Sequence, residues 1–423
     1  MLPVPSPDQN RALVSYQNDF LLSLMEDYQV QIKNNIPLLG TRSLWYDENE
    51  HTLLISNIST RRVHLINLTT GALRWYDHHE TTVRHIVRYQ NEIITSSWDG
   101  TVRVVNFHTL TERLMLTHRY MGRSPFVIPS PDGCHLYSFS YDVEKDPLIQ
   151  TNIVRKWSFM DGKMLQVFAA TGFHKSGTRS GICIPIGDRM YIISNSGYLN
   201  VFHLHSGRLL KENSITGDFR TMCLIPAFNL IIASDTVGSV YLYNLFTDRF
   251  FSYYRIHQDD ITCIKVHPAK PDILFTCSYD GYVKIWKMPD LHFIKAIQID
   301  RHELWTFTFI KDLLVVGSTS GYIYFYDISN LSTAYLKAKL FLSVNAYSLF
   351  LTDSKKYYTN DTSIFTISRK QDNEIINGKQ AAYLLNLFNS KSVLSGLFGE
   401  ENESSESRKN HIEVIRQIPG IMS

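Results

Sequence analysis

This sequence has few cysteines and a net charge close to zero. The chain of 423 residues has five cysteines, and no two of them show the Cys-x-x-Cys spacing of a zinc or redox site. Such an odd, scattered set is typical of small apolar groups in a reducing compartment. Charged residues make up 19% of the chain and nearly cancel, to a net charge of +2. This balance gives no reason to expect nucleic acid or an anionic membrane as a partner.

Long apolar runs and known catalytic motifs are missing too. No apolar run approaches the roughly 20 residues of a membrane-spanning helix, and the first residues lack the basic-then-apolar order of an export signal. We therefore expect an intracellular protein, cytoplasmic or nuclear. No Gly-rich phosphate loop, HExxH or GxSxG is present. His203 and His205 share a strand face without a third ligand at metal spacing, so neither a metal nor a cofactor is predicted.

Aromatic residues, in contrast, are plentiful and fall within short alternating runs. Phe, Trp and Tyr make up 13% of the chain, a composition that favours strands. The stretch His257–Gln298 holds four runs with period-2 alternation: Ile261–Val266, Ile273–Ser278, Tyr282–Lys287 and Phe293–Gln298. Breaks containing Pro, Asp and Gly separate them, and Asp280-Gly281 is a strong hairpin signal. The pattern predicts antiparallel strands joined by tight turns.

This stretch resembles one blade of the WD-repeat family of β-propellers. It places four strands within 42 residues and has Lys284-Ile285-Trp286 in its third run. The positions that match the buried hydrogen-bonded set of that family are His257, Ser278, Asp280 and Trp286. The resemblance implies that these side chains satisfy one another inside the blade, so a His, a Ser and an Asp do not indicate a catalytic triad here.

Similar units recur along the chain at intervals of roughly 40–44 residues, the spacing of this architecture. In the second unit, the bonding positions are taken by His79, Ser97 and Asp99. In the third they are taken by Ser140, Asp142 and Trp157. We count eight units, the last without its fourth strand, and we expect Tyr28–Ile32 to fill that gap beside Phe365–Ile367.

The sequence thus predicts an all-β WD-repeat β-propeller, with eight blades closed by an N-terminal strand and short flanking helices. Seven blades is the alternative. The predicted domains are an N-terminal helical extension (1–27), the β-propeller (28–370), and a C-terminal helix with a flexible tail (371–423).

Two sets of residues are candidates for partner binding. The first precedes the turn aspartates or their equivalents, on the face that WD-repeat proteins present to ligands, and consists of Trp98, Tyr141, Tyr279, Asn195 and Asn360. The second lies near the start of the first strand of a unit and consists of Arg84, Arg123, Arg179 and Arg220. Converging arginines suit a carboxylate-rich or phosphorylated peptide. Turn-packing aromatics and solvated or salt-bridged arginines are the alternatives.

We predict a non-catalytic scaffold that binds a peptide or partner loop on this face, with neither nucleic acid nor a small molecule as ligand. A substrate receptor of a ubiquitin ligase is one alternative. A quinoprotein-like enzyme is another, because Asn67–Trp75 resembles the turn-and-Trp signature of those eight-bladed propellers. That signature occurs clearly once, and no calcium-binding acid cluster accompanies it.

Overall fold

The fold is taken from a computed structural model of the chain. It describes residues 28–32, 39–118, 126–130, 132–143, 150–170, 182–194, 197–214, 217–351, 357–359, 365–369, 375–376 and residue 394. The chain forms two compact units, one of residues Leu38–Val344 and one of residues Met1–Pro37 with Asn345–Ser423.

The larger unit contains seven sheets, and in each the strands follow one another in chain order. The first sheet is β2 (Thr41–Asp47), β3 (Thr52–Asn57), β4 (Val63–Asn67) and β5 (Leu73–Tyr76). The second is β6 (Val83–Tyr89), β7 (Glu92–Ser97), β8 (Thr101–Asn106) and β9 (Glu112–Thr117). The third is β10 (Phe126–Pro129), β11 (His135–Val143), β12 (Gln150–Ser158) and β13 (Met164–Ala170). The fourth is β14 (Ile182–Ile186), β15 (Arg189–Ser194), β16 (Tyr198–His203) and β17 (Leu209–Ser214).

Three more sheets complete this unit. The fifth is β18 (Phe219–Ile225), β19 (Leu230–Asp235), β20 (Ser239–Asn244) and β21 (Arg249–Arg255), with a 3-10 turn at Pro226–Phe228 between its first two strands. The sixth is β22 (Ile261–His267), β23 (Lys270–Ser278), β24 (Tyr282–Lys287) and β25 (His292–Gln298). The seventh is β26 (Leu304–Ile310), β27 (Leu313–Ser318), β28 (Tyr322–Asp327) and β29 (Tyr335–Leu342).

The other unit has short strands only in its described part. Strand β1 (Tyr28–Ile32) pairs antiparallel with β32 (Phe365–Arg369), which also pairs with β33 (Ile375–Ile376). Strands β30 (Tyr347–Leu351) and β31 (Tyr357–Thr359) form a second antiparallel pair. The predicted partnership of Tyr28–Ile32 is confirmed, since Val30 faces Ile367. Residues 1–27 and most of 371–423, where helices were predicted, lie outside the described residues.

Burial follows strand order within each sheet. The second strands are almost entirely buried, as in β3 and β27, whereas fourth strands such as β9 and β21 expose most of their side chains. Apolar clusters fill the interfaces between consecutive sheets. One of them joins Phe275 and Ile285 of the sixth sheet to Phe307 and Val316 of the seventh. Packing between neighbouring repeats of this kind supplies most of the stability of a repeat architecture.

The seven sheets of the larger unit close on themselves. Strand β2 of the first sheet contacts β26 of the seventh, and Gly317 sits so close to Thr41 that a Cβ there would lie 2.4 Å from Thr41 Cγ2. The prediction of eight blades closed by Tyr28–Ile32 is therefore wrong, and the alternative of seven is confirmed. The error arose because the strands after residue 344 alternate like blade strands, and periodicity does not reveal which sheet a strand joins.

Candidate functional site

A buried chain of hydrogen bonds spans the sixth sheet. Asp280 Oδ2 lies 2.9 Å from His257 Nδ1, and Thr276 Oγ1 lies 2.8 Å from His257 Nε2. The indole N–H of Trp286 donates to the same Thr276 hydroxyl at 3.1 Å. Because a carboxylate only accepts, the His257 proton lies on Nδ1 and the Thr276 hydroxyl donates to Nε2. Ser278, which the sequence placed in this chain, instead donates to Asp259 O at 3.0 Å.

The second sheet repeats the arrangement with a threonine in the same role. His79 lies 2.9 Å from Asp99 Oδ2 and 2.9 Å from Thr95 Oγ1. Ser97 instead bonds the backbone oxygen of Thr82 at 3.0 Å. Burial lowers the pKa of His79, as it does that of His257, and the bond to the carboxylate only partly offsets this. Both rings are therefore neutral, satisfied parts of their sheets.

In the third sheet a serine supplies the hydroxyl of the bonded set from the same strand position. Trp157 donates to Ser138 Oγ at 2.7 Å, and His118 Nε2 lies 2.8 Å from the same oxygen. The sequence placed Ser140 and Asp142 in this set; Ser138 holds the hydroxyl position beside Trp157, and the side chains of Ser140 and Asp142 lie outside the described residues.

A different set of side chains is positioned by β-bulges. In five sheets the pairing of the first strand with the second shifts register across its second residue. A bulged residue is left out of the ladder, and the bulge redirects its side chain. The five residues at these shifts are Arg42, Arg84, Arg220, Thr262 and Trp305. All five line one central cavity.

These side chains stack on one another and on the turns. The Arg42 guanidinium lies 3.5 Å from the centroid of the Trp305 ring. Arg84 lies 4.5 Å from the ring centroid of Trp98, which is 41% exposed. The Tyr279 and Trp305 rings meet edge to face, with their centroids 4.8 Å apart. The structure therefore brings Trp98, Tyr279 and Arg84 into one cluster.

Arg220 is the anchor of this cluster. It is 4% exposed, and its Nε lies 3.5 Å from Asp260 Oδ2. Its Nη2 donates to the Tyr279 hydroxyl at 2.9 Å, and its guanidinium lies 5.3 Å from the Trp305 ring centroid. Four donor nitrogens of the cluster are buried and have no hydrogen-bond acceptor within the described residues. They are Arg220 Nη1, Arg42 Nε, Arg42 Nη1 and Trp305 Nε1. Fixed donors of this kind are suited to an incoming acceptor.

The cavity is the central channel of the ring, because first strands of all seven sheets line it. Its volume is about 340 Å³. Four bases line it, Arg42, Arg84, Arg220 and Lys265, and the described lining residues include no Asp or Glu. Burial, with the charge of Lys265, lowers the pKa of His85 to about 3, so this lining ring is neutral. The channel is thus a cationic site with apolar walls.

Comparison with known proteins agrees with this geometry. The family model described as "WD domain, G-beta repeat" matches residues 250–287, a range that runs from strand β21 to the end of β24. The matched repeat therefore takes the outer strand of the fifth sheet with three strands of the sixth. Together with the ring of seven sheets, this match decides the family. The chain is a WD-repeat β-propeller.

Curated relatives of this propeller are remote. Pre-mRNA-processing factor 17 from Homo sapiens and its counterpart from Mus musculus are each 21% identical to it over 245 residues. The match covers 57% of this chain and 34% of each relative, so the chain spans about a third of the length of these relatives. Among solved structures, the computationally designed Ika8 protein superimposes with a TM-score of 0.55 at 16% identity, over 77% of this chain and 97% of that one. That likeness concerns the fold alone.

Several predicted binding residues are not placed by the structure. Tyr141 lies on β11, but its side chain is outside the described part of the chain, as are Asn195, Asn360, Arg123 and Arg179. Two residues of the cluster, Arg42 and Trp305, were not predicted from the sequence. A signal was available for both, because each is the second residue of its inner strand, as are Arg84 and Arg220.

The described part of the chain holds no group of three or more His, Cys, Asp or Glu side chains arranged to bind a metal. It also contains no helix with the length and apolar character needed to cross a membrane.

Proposed function

We propose that this propeller is a non-catalytic scaffold that binds an acidic peptide or loop of a partner protein at the mouth of its channel. The observation that carries the proposal is the set of bulged side chains, where guanidinium and indole donors are oriented but lack acceptors within the described residues. A rigid ring offers such a surface at little cost in ordering, which suits protein assembly.

The charge of the channel favours a carboxylate or phosphate. Four bases without a lining acid give a positive potential, and low-dielectric walls strengthen it. Arg42 lies over the Trp305 ring, and its Nε and Nη1 have no acceptor within the described residues. Two donors on one guanidinium suit bidentate bonding to an anion, the geometry in which arginine differs from lysine.

The rim favours a peptide over a free anion. Trp98 is 41% exposed beside the partly buried Arg84, and large amphipathic rings and arginines are both enriched at binding hot spots. The His–Asp pairs of the turns support a non-catalytic role, since His79 and His257 are buried within satisfied networks. Neither ring is therefore available as a general base that would activate a hydroxyl nucleophile.

The test is a binding comparison between two charge-matched double variants. Arg42→Gln with Arg84→Gln removes two charges at the channel mouth. The control, Arg208→Gln with Arg249→Gln, removes two exposed arginines beside turns between third and fourth strands, at the opposite ends of the blades. Peptide arrays that pair each glutamate-rich or phosphoserine sequence with its glutamine or serine counterpart supply the ligands.

We expect acidic peptides to bind wild type and control alike, and the channel variant to lose at least about tenfold in affinity, the value of one charge-assisted hydrogen bond. Fluorescence of Trp98 and Trp305 reports binding at the mouth. Equal binding of acidic and neutral peptides, or equal loss in both variants, would contradict the proposal. The arrays also separate the two anion sources, carboxylate and phosphate.

A further inference from the structure

Two cysteines face each other in the wall of the channel. Cys263 on β22 is the register partner of Cys277 on β23. Residues directly opposed on antiparallel strands have Cα atoms about 4.5–5.5 Å apart, within the range of about 4.4–6.8 Å that a disulfide requires. Both thiols are free, they are hydrogen-bonded to each other, and they pack into the same cluster between the sixth and seventh sheets. Little movement is needed to join them.

The two thiols differ in access. Cys263 is partly exposed and lines the channel, whereas Cys277 is fully buried behind it. The Thr262 hydroxyl lies 3.3 Å from the Cys277 sulfur. A reagent that enters the channel therefore meets Cys263 first, and Cys277 is placed to attack whatever forms on that sulfur.

The surroundings also favour Cys263 as the nucleophile. The hydrogen bond from Cys277 and the charge of nearby Lys265 lower the pKa of Cys263, while burial raises the pKa of Cys277. Lys265 lies two residues along the same strand and lines the same channel. A thiolate next to a cation is the reactive form of cysteine.

We propose that Cys263 and Cys277 form a redox-active dithiol, which small anionic disulfides entering the channel oxidise to a cross-strand disulfide. In the first step the Cys263 thiolate attacks one sulfur of the reagent, and the other half leaves as a thiolate that takes up a proton. In the second step the Cys277 thiol loses its proton and attacks the Cys263 sulfur, which expels the remaining half as a thiol. Two protein thiols are oxidised, and one reagent disulfide is reduced to two thiols.

The preference for anions follows from the channel mouth. Arg42, Arg84 and Arg220 line the same cavity as Cys263, so a negative reagent is concentrated there and a positive one repelled. This inference is independent of the proposed peptide function, because it concerns the chemistry of the wall and requires no partner protein.

Three small disulfides that differ in charge provide the experiment: dithiodiglycolate (anionic), 2-hydroxyethyl disulfide (neutral) and cystamine (cationic). They are applied to the full chain with the exposed Cys134 changed to Ser. Intact mass spectrometry and peptide mapping after alkylation follow the Cys263–Cys277 link, which corresponds to a loss of two hydrogens. We expect dithiodiglycolate to react at least about tenfold faster than cystamine, with the ratio falling in high salt.

Variants separate the steps. Cys277→Ser should hold the reagent on Cys263 as a stable mixed disulfide, and Cys263→Ser should leave Cys277 unreacted. Cys263→Ala serves as a second variant at the same position, and circular dichroism verifies that each protein is folded. The proposed dithiol would be excluded if both thiols of the folded wild-type protein could still be alkylated after treatment with the reagent. Equal rates with all three reagents would overturn the role of the channel charge.

Discussion

The Arg42 guanidinium lies 3.5 Å from the ring centroid of Trp305, and this stacked pair joins the first blade of the propeller to the seventh. The two residues are 263 positions apart in sequence, yet both are the second residue of an inner strand and both stand at a β-bulge. The contact thus belongs at once to the closure of the ring and to the candidate binding site.

Loss of this pair should weaken the ring measurably. We expect Trp305→Leu to lower the free energy of unfolding by about 1–2 kcal/mol, because a desolvated cation–π contact is worth that much. Urea unfolding of Arg42→Gln, Trp305→Leu and the double variant gives the coupling energy between the two side chains. Strictly additive effects would show that the two side chains contribute separately.

The threonine of the hydrogen-bond chain should matter more than the neighbouring serine. Thr276→Val leaves the Trp286 N–H without its acceptor, and an unsatisfied buried donor costs about 1–3 kcal/mol. Ser278→Ala removes a bond to a backbone oxygen, worth about 1 kcal/mol. Denaturant unfolding of both variants ranks them, and a larger loss for Ser278→Ala would contradict the arrangement described above.

Stability should fall between pH 6.5 and 5 because of buried histidines. His118 Nδ1 lies 2.7 Å from Arg155 Nη1, which donates to it. Burial, together with that charge, lowers the pKa of His118 to about 3. The folded pKa lies below the unfolded value of about 6.5. The contribution of His118 to the free energy of unfolding is therefore fully present above pH 6.5. It decreases as the pH falls below that value, because the unfolded state binds the proton first.

Between pH 6.5 and 5, His118 alone should lower the free energy of unfolding by about 2 kcal/mol, at about 1.4 kcal/mol for each pH unit. His64 behaves in the same way, because burial lowers its pKa to about 4. Urea unfolding at pH 7, 6 and 5 measures the slope, and His118→Gln should make it shallower even though that variant is less stable at pH 7. An unchanged slope in the variant would exclude His118 as a source.

Alanine substitutions at two glycines separate the cost of an unfavourable φ from the cost of a steric clash. Both have positive φ, +81° at Gly281 and +58° at Gly187, so alanine is strained at either position by about 1–2 kcal/mol. At Gly281 an added Cβ would also lie 2.2 Å from Asp300 O, whereas at Gly187 nothing lies within 4 Å. Thermal unfolding should show a clearly larger loss for Gly281→Ala than for Gly187→Ala.

Much of the architecture could be predicted because strand alternation and Asp-Gly turns are local features. The number of blades was harder, since Tyr347–Leu351 alternates like a blade strand while forming part of the smaller unit. The hydroxyl partner of Trp286 was misassigned for a related reason. Ser278 and Thr276 both belong to β23, and only the three-dimensional register shows which hydroxyl reaches the indole.

The candidate site was predictable in part. Trp98 and Tyr279 stand out because each precedes an aspartate in a turn, a feature visible within a few residues. Arg42 and Trp305 come together only when the ring closes, and the bulges that redirect them depend on how two strands pair. The strand position of each residue can be read from the sequence, but the contact between them cannot, because it depends on this long-range closure.

The bulges have a consequence for how this protein can diversify. A residue outside the ladder can be exchanged without disturbing the pairing on either side, so ligand preference at the channel mouth can change one position at a time while the framework is inherited intact. Thr262 is the position where such a change would be simplest, because its short side chain sits between Arg220 of the fifth blade and Trp305 of the seventh. Protein engineers could use the same five positions as a compact library for new specificities.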